Sequence, residues 1–220
     1  MNIDKLIRSN RRSVSLIITK DANLEVRAPF NVSLDIITEF VTKKKSWIEK
    51  KKAQIINLRA QALPQVFADG KEFIYAGNRY KLQVSDCEAI HLSDVLHFPK
   101  SFLPEIKQHV IAWYKTQSLK KIIERANYYA TLTQLKYKYI KLSNATKSWG
   151  YCDHKESLHI NWRLIIAPPD ILDYVIVHEL VHLAERNHSK RFWDKVQATL
   201  PNYKEHKNWL RQKGNMLMLS

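Results

Sequence analysis

The chain has 220 residues, 45% of them hydrophobic and 10% aromatic, enough for one large domain or two small ones and too much for a disordered tract. Only four glycines occur, and no Gly-rich phosphate loop or GxGxxG is present, which excludes the common nucleotide-binding frameworks. The formal charge of +15 attracts polyanions, and on charge alone nucleic acid, an anionic membrane surface or an acidic protein would serve as partner.

Residues 13–30 read as a hairpin, with two β-branched runs separated by the polar turn Lys20, Asp21, Ala22. A helix is expected from an N-cap at Ser33 to about Leu58, because Ile36, Ile37, Phe40, Val41, Trp47, Ile48, Ile55 and Ile56 recur at helical spacing. Its other face carries Lys43, Lys44, Lys45, Lys50, Lys51 and Lys52, read as a solvated face, with a phosphate-contacting stripe as the alternative. Pro64 and Asp69-Gly70 mark a loop over 62–70, and short strands of a meander follow over 72–99. A second long helix is expected from about Leu103 to Leu132, burying Val110, Ile111, Trp113, Tyr114, Leu119, Ile122 and Ile123. A boundary near residue 100 would divide a β-rich region with a basic helix (1–100) from a C-terminal region (101–220), unless the two form one continuous domain.

The C-terminal half reads strand (138–144), polar loop (146–157), strand (158–166), then helix. Pro169 suits the first helical position and Asp170 the first turn, and two shorter helices are expected around Lys190–Ala198 and Tyr203–Lys213. Two cysteines, Cys87 and Cys152, form no CxxC and no disulfide framework, which fits a reducing compartment. The N-terminus has no apolar core of a signal peptide and no apolar run is long enough to span a bilayer, so a cytoplasmic, non-membrane protein is expected.

His178-Glu179-Leu180-Val181-His182 is HExxH. On a helix, positions four apart share a face, so both imidazoles converge on one ion, and Glu179 sits beside the open position where a bound water would lie. Zinc brings the pKa of such a water towards neutrality, and a carboxylate can then take its proton. A catalytic zinc needs a third protein ligand. His188 can supply it only if the helix ends and the chain turns back, with Asn187 tolerant of a left-handed stop and Ser189 capping the next helix. A chance HExxH arises in about one or two sequences per hundred of this composition. The weight therefore rests on the apolar helix around it and on His188.

The stretch from Ser148 to Trp193 resembles the YgjP-like metallopeptidase family, relatives of the SprT-like zinc proteases. The similarity lies in Trp149-Gly150 with Cys152, Asn161-Trp162-Arg163-Leu164, Ala167-Pro168, Asp173-Tyr174-Val175 leading into HELVH, Asn187-His188-Ser189 and Phe192-Trp193. Arg11-Arg12, Val26-Arg27-Ala28-Pro29 and Lys45, Trp47, Ile48 extend it towards the N-terminus. One departure stands out: Tyr151 occupies the place after Trp-Gly where the family usually has a small Ser. The resemblance implies an α+β, zincin-like fold, with the HExxH helix packed on a small sheet. It also implies zinc held by His178, His182 and His188, with Glu179 as general base for peptide hydrolysis. In such folds a strand edge above the metal binds extended peptide, and 158–166 is the expected strand.

Tyr203, His206, His154 and His159 are candidates to stabilise an oxyanion, though each reads equally as a surface or packing residue. Asp194 and Glu205 are candidate partners for ligand N–H groups, or solvated charges. Trp149 and Trp162 read as core. Three functions compete: a zinc metallopeptidase, a hydrolase of another amide or ester at the same metal, and a basic nucleic-acid-binding protein with a structural metal. A protease acting on DNA-bound protein would combine the first and third.

Overall fold

The computed structural model describes residues 3–19, 21–61 and 67–218, so Lys20 of the expected turn and Pro64 of the expected loop lie outside it. The chain forms two compact units, 1–62 and 63–220. The expected boundary near residue 100 is not where they part. Phe73, Leu82, Leu96 and Phe98 of the strands share one apolar cluster with Val110, Trp113 and Tyr114 of the helix that follows.

In the first unit, β1 (Lys5–Ser9), β2 (Ser15–Ile18) and β3 (Leu24–Pro29) form a sheet in the order β1-β3-β2, with β1 parallel and β2 antiparallel to β3. The expected hairpin is β2–β3. Leu24, Val26 and Ala28 alternate onto one face and are buried with Ile37, Val41 and Ile48. Instead of one helix, two form: α1 (Leu34–Lys43), capped by Ser33, and α2 (Lys45–Gln61). The break is at Lys44, whose φ of −101° and ψ of 11° leave the helical region although the apolar spacing runs through it. Ile36, Trp47 and Ile56, expected to be buried, are exposed. Of the six lysines, Lys43, Lys45 and Lys52 pair with Glu39, Glu49 and Asp4.

The second unit begins with β4 (Glu72–Tyr75), β5 (Asn78–Ser85), β6 (His91–Leu92) and β7 (Val95–Pro99), in the order β4-β5-β7-β6. Ala76 and Gly77, both at positive φ, make the two-residue turn of the β4–β5 hairpin. Their N–H groups donate to the carbonyls of Ile165 and Ile166. Gly77 is required there, since a Cβ would stand 3.0 Å from the Cα of Pro168.

A turn of 3-10 helix leads into α3 (Ile106–Thr133), which buries Val110, Trp113, Tyr114, Ser118, Ile122, Ala126 and Tyr129. Leu119 and Ile123, expected in that stripe, face outward instead. Next come β8 (Tyr139–Ser143), β9 (Gly150–Cys152) and β10 (Ser157–Asn161), in the order β8-β10-β9. The expected strand 158–166 is strand only to Asn161; 162–166 is a 3-10 turn whose apolar residues are buried without sheet pairing. Helices α4 (Pro169–Val181), α5 (Lys190–Thr199) and α6 (Tyr203–Lys213) complete an α+β architecture. No helix among the described residues is long and apolar enough to cross a membrane.

Almost every residue of α4 is buried, which is why its sequence is apolar all round and not striped. It is fixed to α3 by one ion pair. Asp173 accepts from Arg125 Nε at 2.7 Å and Nη2 at 2.6 Å, and from the Tyr129 hydroxyl at 3.1 Å. Burial and the Asp173 charge together push the Tyr129 phenol up to about 12. Asp173→Ala should leave both donors without their acceptor, for a loss of about 2–4 kcal/mol, moderated by the partial exposure of the guanidinium. Urea unfolding checks this, and an unchanged midpoint would show that the pair does not anchor α4.

The loop before β10 turns on Asp153, whose carboxylate accepts from the Ser157 and Lys155 N–H groups and contacts His159 Nε2 at 3.1 Å. These contacts, led by the Ser157 N–H, hold its carboxyl down at about 2. A depressed carboxyl stabilises the fold above its unfolded pKa of about 3.9 and loses that contribution as pH falls through its folded value. The stability difference between wild type and Asp153→Asn should therefore be full at pH 6 and shrink from pH 4 downward, as followed by urea unfolding across that range.

Candidate metal centre

His178 and Glu179 lie in the last turns of α4, and His182 is its C-terminal cap. The chain leaves the helix through Leu183, Ala184 and Glu185, whose N–H groups return to Leu180 and Val181 carbonyls. Asn187 is not in the left-handed region, so the expected stop there is not used; consecutive tight turns reverse the chain instead. Ser189 does cap α5, accepting from the Phe192 N–H at 3.4 Å.

The reversal brings His188 back to the helix, so that one ligand atom from each of His178, His182 and His188 lies within 4.8 Å of the others. The Nε2 atoms of His178 and His188 are 3.0 Å apart. With ligand bonds of 2.0–2.1 Å, two nitrogens on a tetrahedral ion sit about 3.3 Å apart, so this spacing suits a shared ion. Nδ1 of His182 lies 3.0 Å from the carbonyl oxygen of Glu185. A carbonyl only accepts, so Nδ1 carries the proton and Nε2 keeps its lone pair for a cation. Burial, reinforced by the two neighbouring histidines and Lys207, pulls His178 down to about 3, which keeps that ring neutral and able to ligate. All three rings pack on the buried Phe192, with centroids 4.6–4.9 Å away, and His188 also stacks on Trp193.

Glu179 is 5% exposed and touches β9. Burial pushes its carboxyl up to about 8, opposed only by the Cys152 backbone N–H. Gly150 makes this approach feasible: a Cβ there would lie 2.8 Å from Oε1 and 2.9 Å from Cγ of Glu179. Beside the carboxylate a cleft of about 310 Å3 is lined by Trp149, Gly150, Tyr174, Val175, His178, Lys207, Leu210 and Arg211.

β10 is paired on both sides, so the expected strand has no free edge for a peptide; β9 and β8 are the edge strands of this sheet. The bonds of Trp149 to Asn161 and of Asp153 to Ser157 turn residues 149, 151 and 153 towards β10. Gly150 and Cys152 therefore direct their backbone groups away from the sheet. Tyr151, half exposed, stacks on His159 at 4.1 Å and does not line the cleft, so the residue that departs from the family pattern leaves this space open.

The other expected residues are scattered. Tyr203 is buried against Trp193, His206 stands 6.5 Å from the Tyr174 ring, His159 pairs with Asp153 and His154 is exposed. Asp194 and Glu205 are exposed, and the Glu185 carbonyl serves His182 where a carboxylate was expected. Trp162 is core as expected, while Trp149 packs its ring over Gly214 and also borders the cleft. Tyr174, Lys207 and Arg211 were missed. Their one signal is spacing, since 174 lies four residues before His178 and 207 four before 211, each pair on one helix face.

No curated protein matches the chain by sequence. The crystal structure of the metallopeptidase zymogen of Pyrococcus abyssi abylysin is similar over 42% of this chain and 93% of the other, with 17% identity and a TM-score of 0.39. A likeness at that level carries nothing about the chemistry. The model of the YgjP-like, metallopeptidase domain matches residues 12–213, a span that takes in the histidines, Glu179 and the cleft. The chain belongs to the YgjP-like metallopeptidase family.

Proposed function

We propose that this chain is a zinc-dependent peptidase of zincin-like arrangement, with His178, His182 and His188 as the metal ligands and Glu179 as general base. The observation that carries the reading is the meeting of three imidazoles beside a buried carboxylate at the mouth of a cleft. Three nitrogen donors with a fourth position open favour zinc over harder cations, which prefer oxygen.

When bound, zinc supplies a Lewis acid and a water acidified towards neutral pH. The residues do the rest. Glu179, fixed by Gly150 and the Cys152 N–H, accepts the proton of the attacking water and passes it to the departing amide nitrogen. Burial favours its neutral form, so a cation held by the histidines would be what makes the carboxylate available as a base. The outward backbone groups of Gly150 and the Cys152 carbonyl remain to bind an extended peptide as an added strand, which would set the scissile carbonyl beside the histidines; the Cys152 N–H is taken by Glu179. The Tyr174 ring borders the same cleft, its centroid 5.9 Å from that of His178, and its hydroxyl is a candidate donor to charge developing on that carbonyl oxygen.

Elemental analysis should find about one zinc per chain in wild type and in Glu179→Gln, and a large loss in His188→Ala. Peptide hydrolysis should fall by about 100-fold to 10,000-fold in Glu179→Gln with zinc retained. Full activity in that variant would remove Glu179 from the mechanism, and a metal-free wild type after zinc supply would remove the zinc reading.

Gly150→Ala should lower turnover at least tenfold by displacing Glu179, while zinc content stays at the wild-type level. Unchanged turnover would mean that the contact between β9 and the carboxylate does not set the position of the base.

A further inference from the structure

The cleft beside Glu179 has a wall that hydrolysis itself does not require. Lys207 and Arg211 stand one turn apart on α6 and both border it. Lys207 Nζ is held 4.0 Å from the ring centroid of Trp193, the same indole that stacks on His188. The ammonium is thus fixed near the histidine cluster. Arg211 is oriented by the Asn208 side-chain carbonyl at 2.7 Å. Among the described residues neither cation has a carboxylate within ion-pair distance. The one acid that borders the cleft is Glu179.

We propose that this cleft selects peptides bearing a carboxylate next to the scissile bond, with Lys207 and Arg211 as the residues that read it. The inference rests on the peptidase reading of the same site. Two like charges on one helix face repel each other, and an anion between them relieves the repulsion. Trp149 and Leu210 give the cleft apolar walls suited to the methylenes of an acidic side chain. A volume of about 310 Å3 has room for an acidic side chain together with the backbone that carries it. Because the cleft contains Glu179, whatever fills it adjoins the bond being cut. The carboxylate can come from an Asp or Glu side chain or from the end of a chain, and both would meet the same two donors.

The test uses full-length, zinc-loaded Glu179→Gln and three fluorescent peptide pools at near-physiological salt. One has Asp fixed between three random residues on each side and an amidated end. The second replaces Asp by Asn. The third ends at that Asn with a free carboxylate. Anisotropy should show the Asp pool, the free-acid pool or both binding about tenfold tighter than the amidated Asn pool, and the pattern names the source of the carboxylate. Adding Lys207→Met and Arg211→Met should erase the difference, while adding Lys50→Gln and Lys51→Gln, on α2, should leave it intact.

Equal affinity for all pools, including no detectable binding, overturns the proposal, as does discrimination that survives the double Met change. Digestion of the same pools by zinc-loaded wild type separates the two readings. Cleavage without preference overturns the anion selectivity alone. Discrimination in binding without any cleavage overturns the peptidase reading and leaves the anion-selective cleft standing.

Discussion

A carboxylate at 5% exposure, in a helix buried on nearly every side, has little around it to stabilise its charge. The region around α4 is arranged to make that position of Glu179 tolerable. Apolar neighbours exclude water, one backbone N–H from β9 reaches the carboxylate, and Gly150 leaves the space the side chain occupies. The neutral acid is favoured until positive charge arrives nearby. Burial lowers the pKa of His178 and His182, so these two rings add no charge of their own, and a cation held by the histidines would supply it. Basicity of the carboxylate and occupancy of the histidine cluster are two sides of one electrostatic balance.

α4 carries a second buried acid, and the contrast between the two is instructive. Asp173 faces α3 and meets a guanidinium in two-point contact together with a phenol. Its charge is matched, and its role is to set the rotation and height of the helix. Glu179, six residues on, turns to another side and is left with a single hydrogen-bonding partner. The satisfied acid fixes where the unsatisfied one points. The β4–β5 hairpin contributes from the opposite direction, because the bonds of Ala76 and Gly77 hold the 162–166 turn against which the start of α4 is built.

What could be read from the sequence was local chemistry. HExxH, the need for a third ligand and the Ser189 cap are all fixed by spacings of ten residues or fewer, and the structure brings those residues together. The break at Lys44 was hidden because apolar periodicity continues across it. Apolar spacing on α3 identified a helix but not how wide its buried face is, so Leu119 and Ile123 were assigned inward. The run 158–166 looked like one strand because a 3-10 turn buried in the core is as apolar as a strand. Which strand offers an edge depends on sheet order, and the direction of Tyr151 depends on register. Both are long-range properties, as is the meeting of α6 with α4 that puts Lys207 and Arg211 beside Glu179.

The open side of β9 has a further consequence, for association between copies of the chain. Unpaired backbone groups on a sheet edge accept any extended chain, including the same strand of another molecule. β9 is only three residues long, the outward Cys152 N–H already donates to Glu179, and Asp153 follows immediately. An edge this short gives too few ladder bonds to hold two sheets together, and the charged loop that follows interrupts any continuation. The brevity of the strand lets the edge stay open without becoming a site of sheet-to-sheet aggregation.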